Sequence, residues 1–329
     1  MSSGKGARSL VPRTLQFCNL RALRGPWAQR SLAPMKRTWQ AVMLLAGAAC
    51  SESAPTPVGP GPTLDPPAQN DHVFWARGEG PALPLGLLTW HGGDVLVASK
   101  TFAIYWGPSW NNATFASDKI TGLTAFLQGW SGSDYAGTLT EYGGANGQIT
   151  ATSTYTGDVI DPSAPPAGPP GDATLIAEVA SLVPIPDPQT LYLIYGTTPR
   201  GSASFCGFHT FGSYKRHLVQ VAWFFNLDGD PACDPRDTFT GHSQPLAALA
   251  NITAHELAET ITDPRGLGWF ALGGRGENGD KCNFVEDTTF VTFSNSSNWH
   301  IQAEWSNAAN EAGTGHLNRN GEPGCIYHP

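Results

Sequence analysis

The run TLYLIYG, residues 190–196, decides how the rest of the chain is read. Its apolar residues follow one another without alternation and without helical spacing. A strand reads this way when both of its faces are buried, as a central strand is beneath helices packed on either side. HLVQVAWFFN, residues 217–226, has the same character. Upstream, DVLVASKTFAIYWG (94–107) predicts another strand, and FASDKITGLTAFLQGW (115–130) predicts an amphipathic helix with Ile120, Leu123, Phe126 and Leu127 inward. GQITATSTYTGDVI (147–160) alternates like a half-exposed strand, PSAPPAGPPG (162–171) is a surface loop, and DATLIAEVASLV (172–183) predicts a second helix capped by Asp172. Strand, helix, strand, helix, strand, strand and a last helix specify an α/β (α+β) domain, a mixed sheet with packed helices. A single domain of this layout with a site-bearing helix under the sheet is zincin-like.

That last helix lies in SQPLAALANITAHELAETITDP, residues 243–264. Ser243 and Pro245 are favourable N-terminal residues, and Asp263-Pro264 stops the pattern. Leu246, Leu249, Ala250, Thr253, Leu257 and Ile261 make an apolar stripe, and Ala248 and Ile252 make the next face apolar too, so most of the helix should be buried. His255, Glu259 and Asp263 are spaced by four and stack along one side. Burying three ionisable groups costs several kcal/mol unless they are paired or bound to a cation. Imidazole and carboxylates suit Zn2+ or another divalent cation, and Glu256 stands beside them as a general base for water activation. The pattern is His-Glu-x-x-Glu, with Glu259 where a zinc-protease helix carries its second histidine. Downstream, GENGDKC offers Glu277, 18 residues beyond Glu259, and Asp280 as further ligands. His209, in CGFHTF (206–211), is an additional candidate, read here as lying at a turn between core strands. The bland alternative is a polar cluster that hydrogen-bonds the 269–282 segment and binds nothing.

The chain has 329 residues, 40% hydrophobic and 14% charged, with 38 Gly and 27 Pro, enough for a sizeable core and rich in turns. Residues 1–50 carry eight Lys/Arg and no acid, which leaves 11 basic against 27 acidic residues, a formal charge of −16, in residues 51–329. So acidic a body argues against a nucleic-acid partner. MKRTWQAVMLLAGAAC (35–50) has the anatomy of a signal peptide: a Lys-Arg start, a short apolar run and small residues before Cys50. The expected division is 1–34 as an extension upstream of the true start Met35, 35–50 as the signal, 51–71 as a Pro/Ser/Gly-rich linker and 72–329 as the domain. Cys50 follows Gly47-Ala48-Ala49 as in a lipobox, so the membrane enters only through a lipid anchor there. The expected location is secreted or attached to the cell envelope. Apart from Cys18 and Cys50, four cysteines remain, an even number that suits two disulfides in an exported chain. Three pairings are open, and nearest-in-sequence pairing, Cys206–Cys233 with Cys282–Cys325, is the expected one. There is no Gly-x-Ser-x-Gly and no phosphate-cradling loop, so serine-hydrolase and nucleotide chemistry are unsupported.

Several segments in order resemble the phosphate-induced protein, or EXORDIUM-like, family of secreted proteins. They are LTWHGGDVLVASKTFAIYWGPSW, FLQGWSGSDY, LYLIYGTTPRGSASFCGFHTF, AHELAETITDPRGLGW, GENGDKC and IQAEWSNAANE, spanning most of 88–325. The resemblance implies an extracellular, wall-associated protein linked in plants to growth and cell expansion, so a cell-wall or surface component joins peptides among the expected partners. It points to Cys206, His209, His255, Glu256, Glu259, Asp263, Glu277, Asp280 and Cys282. The family accepts Asn or Asp at the position of Asp263, which weakens that residue as a ligand, and Asn278 replaces an apolar residue of the family. The sequence therefore supports two functions: a metal-dependent peptidase with His255, Glu259 and Asp280 or Glu277 as ligands, or a non-catalytic interaction protein in which the same cluster is structural.

Overall fold

The computed structural model describes residues 72–271, 276–286 and 289–329. The expected upstream extension, signal, lipid-attachment cysteine Cys50 and linker lie outside the described residues. Six strands form one mixed sheet: β1 (Val73–Trp75), β2 (Ser99–Trp106), β3 (Ser153–Asp161), β4 (Thr190–Pro199), β5 (Phe205–Tyr214) and β6 (His217–Asn226), in the order β1-β5-β6-β4-β2-β3. β3, β2, β4 and β6 run parallel to one another, while β5 pairs antiparallel with β6 and with β1 at the edge. β4 and β6 are buried at nearly every position, as an unbroken apolar run requires of strands covered on both faces.

The connections put helices on both faces. β2 leads through α1 (Lys119–Trp130) outward to β3, and β3 leads through α2 (Asp172–Leu182) back across β2 to β4. Right-handed crossovers that travel in opposite directions leave their helices on opposite faces. The contacts agree. A Cβ at Gly212 on β5 would lie 3.1 Å from Ile176 of α2. One at Gly207, odd where Gly212 is even, would lie 3.0 Å from Ile252 of α3 (Gln244–Thr262). Since strand side chains alternate in direction, α2 and α3 cover the two faces. α1 lies beside α3 and approaches it closely at Gly122, where a Cβ would stand 2.3 Å from Leu246.

Helix α3 begins where its cap signals place it. The Ser243 hydroxyl accepts from Leu246 N, Pro245 sits in the first turn, and Asp263 ends the helix. Every residue from Leu246 to Thr262 is buried. Other expectations need adjustment. The predicted strand 94–107 is regular only from Ser99, and Gly171 rather than Asp172 occupies the cap position of α2. His209 is not at a turn: it lies inside β5, paired with Ala222 of β6, and its backbone N–H donates to His72 O at 3.1 Å. Glycines at 207 and 212 disguise β5 in sequence, and pairing on both sides makes it a strand.

Disulfides join Cys206 to Cys233 and Cys282 to Cys325. The first ties β5 to the loop after β6. The second anchors the end of a short helix, α4 (Asn278–Lys281), to the C-terminal strand. Two disulfides are consistent with an extracellular protein.

Candidate functional site

Four separate segments meet above the middle of α3. The helix contributes His255, Glu256 and Glu259, β5 contributes His209, the α4 turn contributes Glu277 and Asp280, and the residue before β1 contributes His72. His255, Glu256 and Glu259 have no exposure, and Glu277, Asp280 and His209 have 1%, 4% and 4%. The His72 side chain is 11% exposed.

The odd-numbered face of β5 points His209 at the helix. His209 Nδ1 is 3.0 Å from Glu256 Oε2 and 3.6 Å from Glu259 Oε2, and Nε2 is 3.7 Å from Glu277 Oε2. The other Glu256 oxygen accepts from Phe74 N at 3.1 Å. One helical turn on, Glu259 Oε1 accepts from Asp280 N at 2.9 Å and lies 3.1 Å from His255 Nε2. Asp280 turns back on its own helix end, its Oδ2 accepting from Glu277 N at 3.2 Å, while Oδ1 stands 3.9 Å from His255 Nε2. His72 Nδ1 meets Glu277 Oε2 at 2.6 Å. Gln302 closes the floor: its Nε2 donates to Gly279 O at 2.9 Å and faces His255 Nδ1 at 3.1 Å. With Nδ1 accepting, the His255 proton sits on Nε2, which lies 3.1 Å from Glu259 Oε1 without forming a hydrogen bond to it. A cation at Nε2 would move that proton to Nδ1. Gln302 would then turn its amide to offer Oε1, which has no partner here, at the loss of the Gly279 bond.

These groups are unbalanced. Glu256, Glu259, Glu277 and Asp280 are buried together, and among the described residues their ion-pair partners are all histidines. Burial raises the Glu256 carboxyl to about 8. It raises Glu259, Glu277 and Asp280 well above the ordinary carboxylate range, and repulsion between the carboxylates adds to the effect. Burial lowers His72 and His209 to about 3, each pushed further by a neighbouring histidine, so both are neutral at physiological pH. Among the described residues, five metal-ligating atoms in this small volume have no hydrogen-bond partner: His209 Nε2, His255 Nε2, Glu259 Oε2, Glu277 Oε1 and Asp280 Oδ1. Native interiors rarely leave so many polar atoms unpaired in one place. Three overlapping trios have ligand atoms within 4.8 Å of one another: His255 with Glu259 and Asp280, His209 with Glu256 and Glu259, and His72 with His209 and Glu277. Donor atoms around a tetrahedral ion with bonds of ~2.0–2.1 Å stand about 3.3 Å apart, between the 3.1 and 3.9 Å that separate His255 from Glu259 and Asp280.

Asp263 stands apart from these trios. Its Oδ1 accepts from Leu267 N at 2.8 Å and Gly268 N at 2.7 Å, holding the turn that leaves α3. Asp263→Asn keeps that acceptor and is expected to change stability by less than ~1 kcal/mol, whereas Asp263→Ala strands two donors at a cost of roughly 1–3 kcal/mol. Urea unfolding of the two variants measures the difference, and equal losses would show that charge rather than the turn matters.

His72 and Gln302 escaped the sequence reading. Neither stands in a ligand motif, and each reaches the site by strand pairing or loop packing far from α3 in the chain. Scanned against protein-family models the sequence matches none, and none of the curated proteins matches it.

Proposed function

We propose that this is an exported domain organised around a buried divalent-cation centre, with His255, Glu259 and Asp280 holding Zn2+, and that it works as a surface or cell-wall interaction protein. The observation that carries the proposal is the convergence of ligand atoms from α3, β5 and α4 that have no hydrogen-bond partner among the described residues, on carboxylates whose ion-pair partners there are all histidines. A cation satisfies the carboxylates and the imidazole together, and it joins α3 to the α4 turn that the Cys282–Cys325 disulfide anchors from the other side. All three ligands are buried, at 4% exposure or less, which favours a structural site over a catalytic one that must admit substrate to an open position. The disulfides and the ordered resemblance to EXORDIUM-like proteins support export and attachment outside the cell.

A second reading is a metal-dependent peptidase with Glu256 as general base. The Glu256 carboxyl near 8 favours it, because a proton donor and acceptor works best close to ambient pH. Against it, both Glu256 oxygens are engaged, by Phe74 N and by His209. Metal analysis of purified protein separates these readings. The structural centre predicts metal that survives gel filtration, falls by one ion per chain in His255→Ala, and is retained without any proteolysis in both wild type and Glu256→Gln. Peptide cleavage that Glu256→Gln abolishes would favour the peptidase, and metal-free wild type after supplementation would overturn both.

A further inference from the structure

The trio of His255, Glu259 and Asp280 leaves half of the cluster unexplained. His209 Nε2 is 4% exposed as a residue, has no hydrogen-bond partner and is directed toward Glu277. Glu277 is 1% exposed and has one oxygen unpartnered. Its other oxygen is shared with His72. Glu256 explains why His209 is set this way. With Nδ1 donating to Glu256 Oε2 across 3.0 Å, the Nε2 lone pair is left bare on the far side of the ring. A carboxylate that orients a histidine through one nitrogen is the usual support of a metal ligand bound through the other. In this role Glu256 is a positioning residue.

Charge points the same way. One divalent cation balances two of the four carboxylates Glu256, Glu259, Glu277 and Asp280, and two cations balance all four. Carboxylates left over by one ion must hold protons to stay buried, and a second ion can take the place of those protons. We propose that a second divalent cation binds between His72 Nδ1, His209 Nε2 and Glu277, so that the domain carries a two-metal centre. This inference rests on the first site described above. The second ion replaces the proton held in the 2.6 Å His72–Glu277 contact, and its imidazole and carboxylate donors suit Zn2+. It also clips the start of β1 to the α4 turn, two segments 205 residues apart.

The test is metal stoichiometry. Protein stripped with chelator, reloaded with Zn2+ and passed through gel filtration should hold two ions per chain, counted by mass spectrometry of the metal. His72→Ala should hold one. His209→Asn, whose side-chain amide can still donate to Glu256 while Nε2 is gone, should also hold one. Circular dichroism confirms that each variant is folded, and the wild-type count decides the question if one is not. One ion in the wild type overturns the second site and leaves the first standing. None removes both, and two ions retained in folded His72→Ala and His209→Asn place the second ion elsewhere and overturn this assignment.

Discussion

Stripped of metal, the protein should lose stability as pH rises from about 6.5 to 8, and Zn2+ should abolish the part of that loss that comes from the cluster. Glu256, Glu259, Glu277 and Asp280 have folded pKa values raised above those of the unfolded chain, so folding binds protons that the unfolded chain has released. For an acid raised in this way, stability is present at low pH and lost as pH climbs from the unfolded value through the folded one, near 8 for Glu256. His72 and His209, lowered to about 3, act with the opposite sign: their contribution is present above the unfolded histidine value, about 6.5, and lost below it. Between pH 4.5 and 6.5 the two effects partly cancel. Above 6.5 His72 and His209 are neutral in both states and ordinary carboxylates are already ionised, so the loss comes from the raised acids, the four of the cluster together with Glu178, Glu286 and Glu304, whose share Zn2+ leaves in place. Melting temperature in chelator should therefore fall most steeply in that window. A cation replaces the protons, so Zn2+ at a thousandfold over its dissociation constant should restore about 4 kcal/mol. A flat or rising profile in chelator would refute the account of the cluster as a set of neutralised acids.

Gly279→Ala should damage the centre more than any comparable change outside it. A Cβ at Gly279 would stand 2.6 Å from His255 Nδ1, 2.9 Å from its Cγ and 3.1 Å from Glu259 Oε1. None of these atoms has solvent to move into, because His255 and Glu259 are fully buried and Gln302 and Phe74 hold the imidazole from two other directions. The ring must turn or the α4 turn must withdraw, and either motion separates His255 from Glu259 and Asp280. The expected result is a loss of metal affinity of roughly 10- to 100-fold, as for other changes that misdirect a ligand. Overpacking adds ~1–3 kcal/mol of destabilisation. Gly168→Ala, with nothing within 4 Å, is the control and should stay within about 0.5 kcal/mol. Zn2+ titration and thermal melting check both numbers, and an unchanged affinity in Gly279→Ala would show that His255 is not a ligand.

Local chemistry made α3 and β6 legible. Ser243, Pro245 and Asp263-Pro264 are signals within one turn of the helix ends, and the helix runs Gln244–Thr262 between them. HLVQVAWFFN forms a strand over its whole length because burial on both faces needs an unbroken apolar run. β5 was hidden by its glycines, and its extended form comes from β1 and β6 on either side. The same pairing carries His209 into the core.

By itself, the sequence determined the mixed α/β plan, the buried helix with His255 and Glu259 one turn apart, and the even set of cysteines. Each of these depends on residue type and spacing along one segment. Tertiary structure decided the rest: that Asp263 holds a turn, that Glu256 faces His209, and that His72 and Gln302 belong to the centre at all. A carboxylate becomes a ligand or a liability according to what surrounds it once water is removed. That environment is assembled here from segments as far apart in the chain as His72 and Gln302, and no spacing within one of them encodes it.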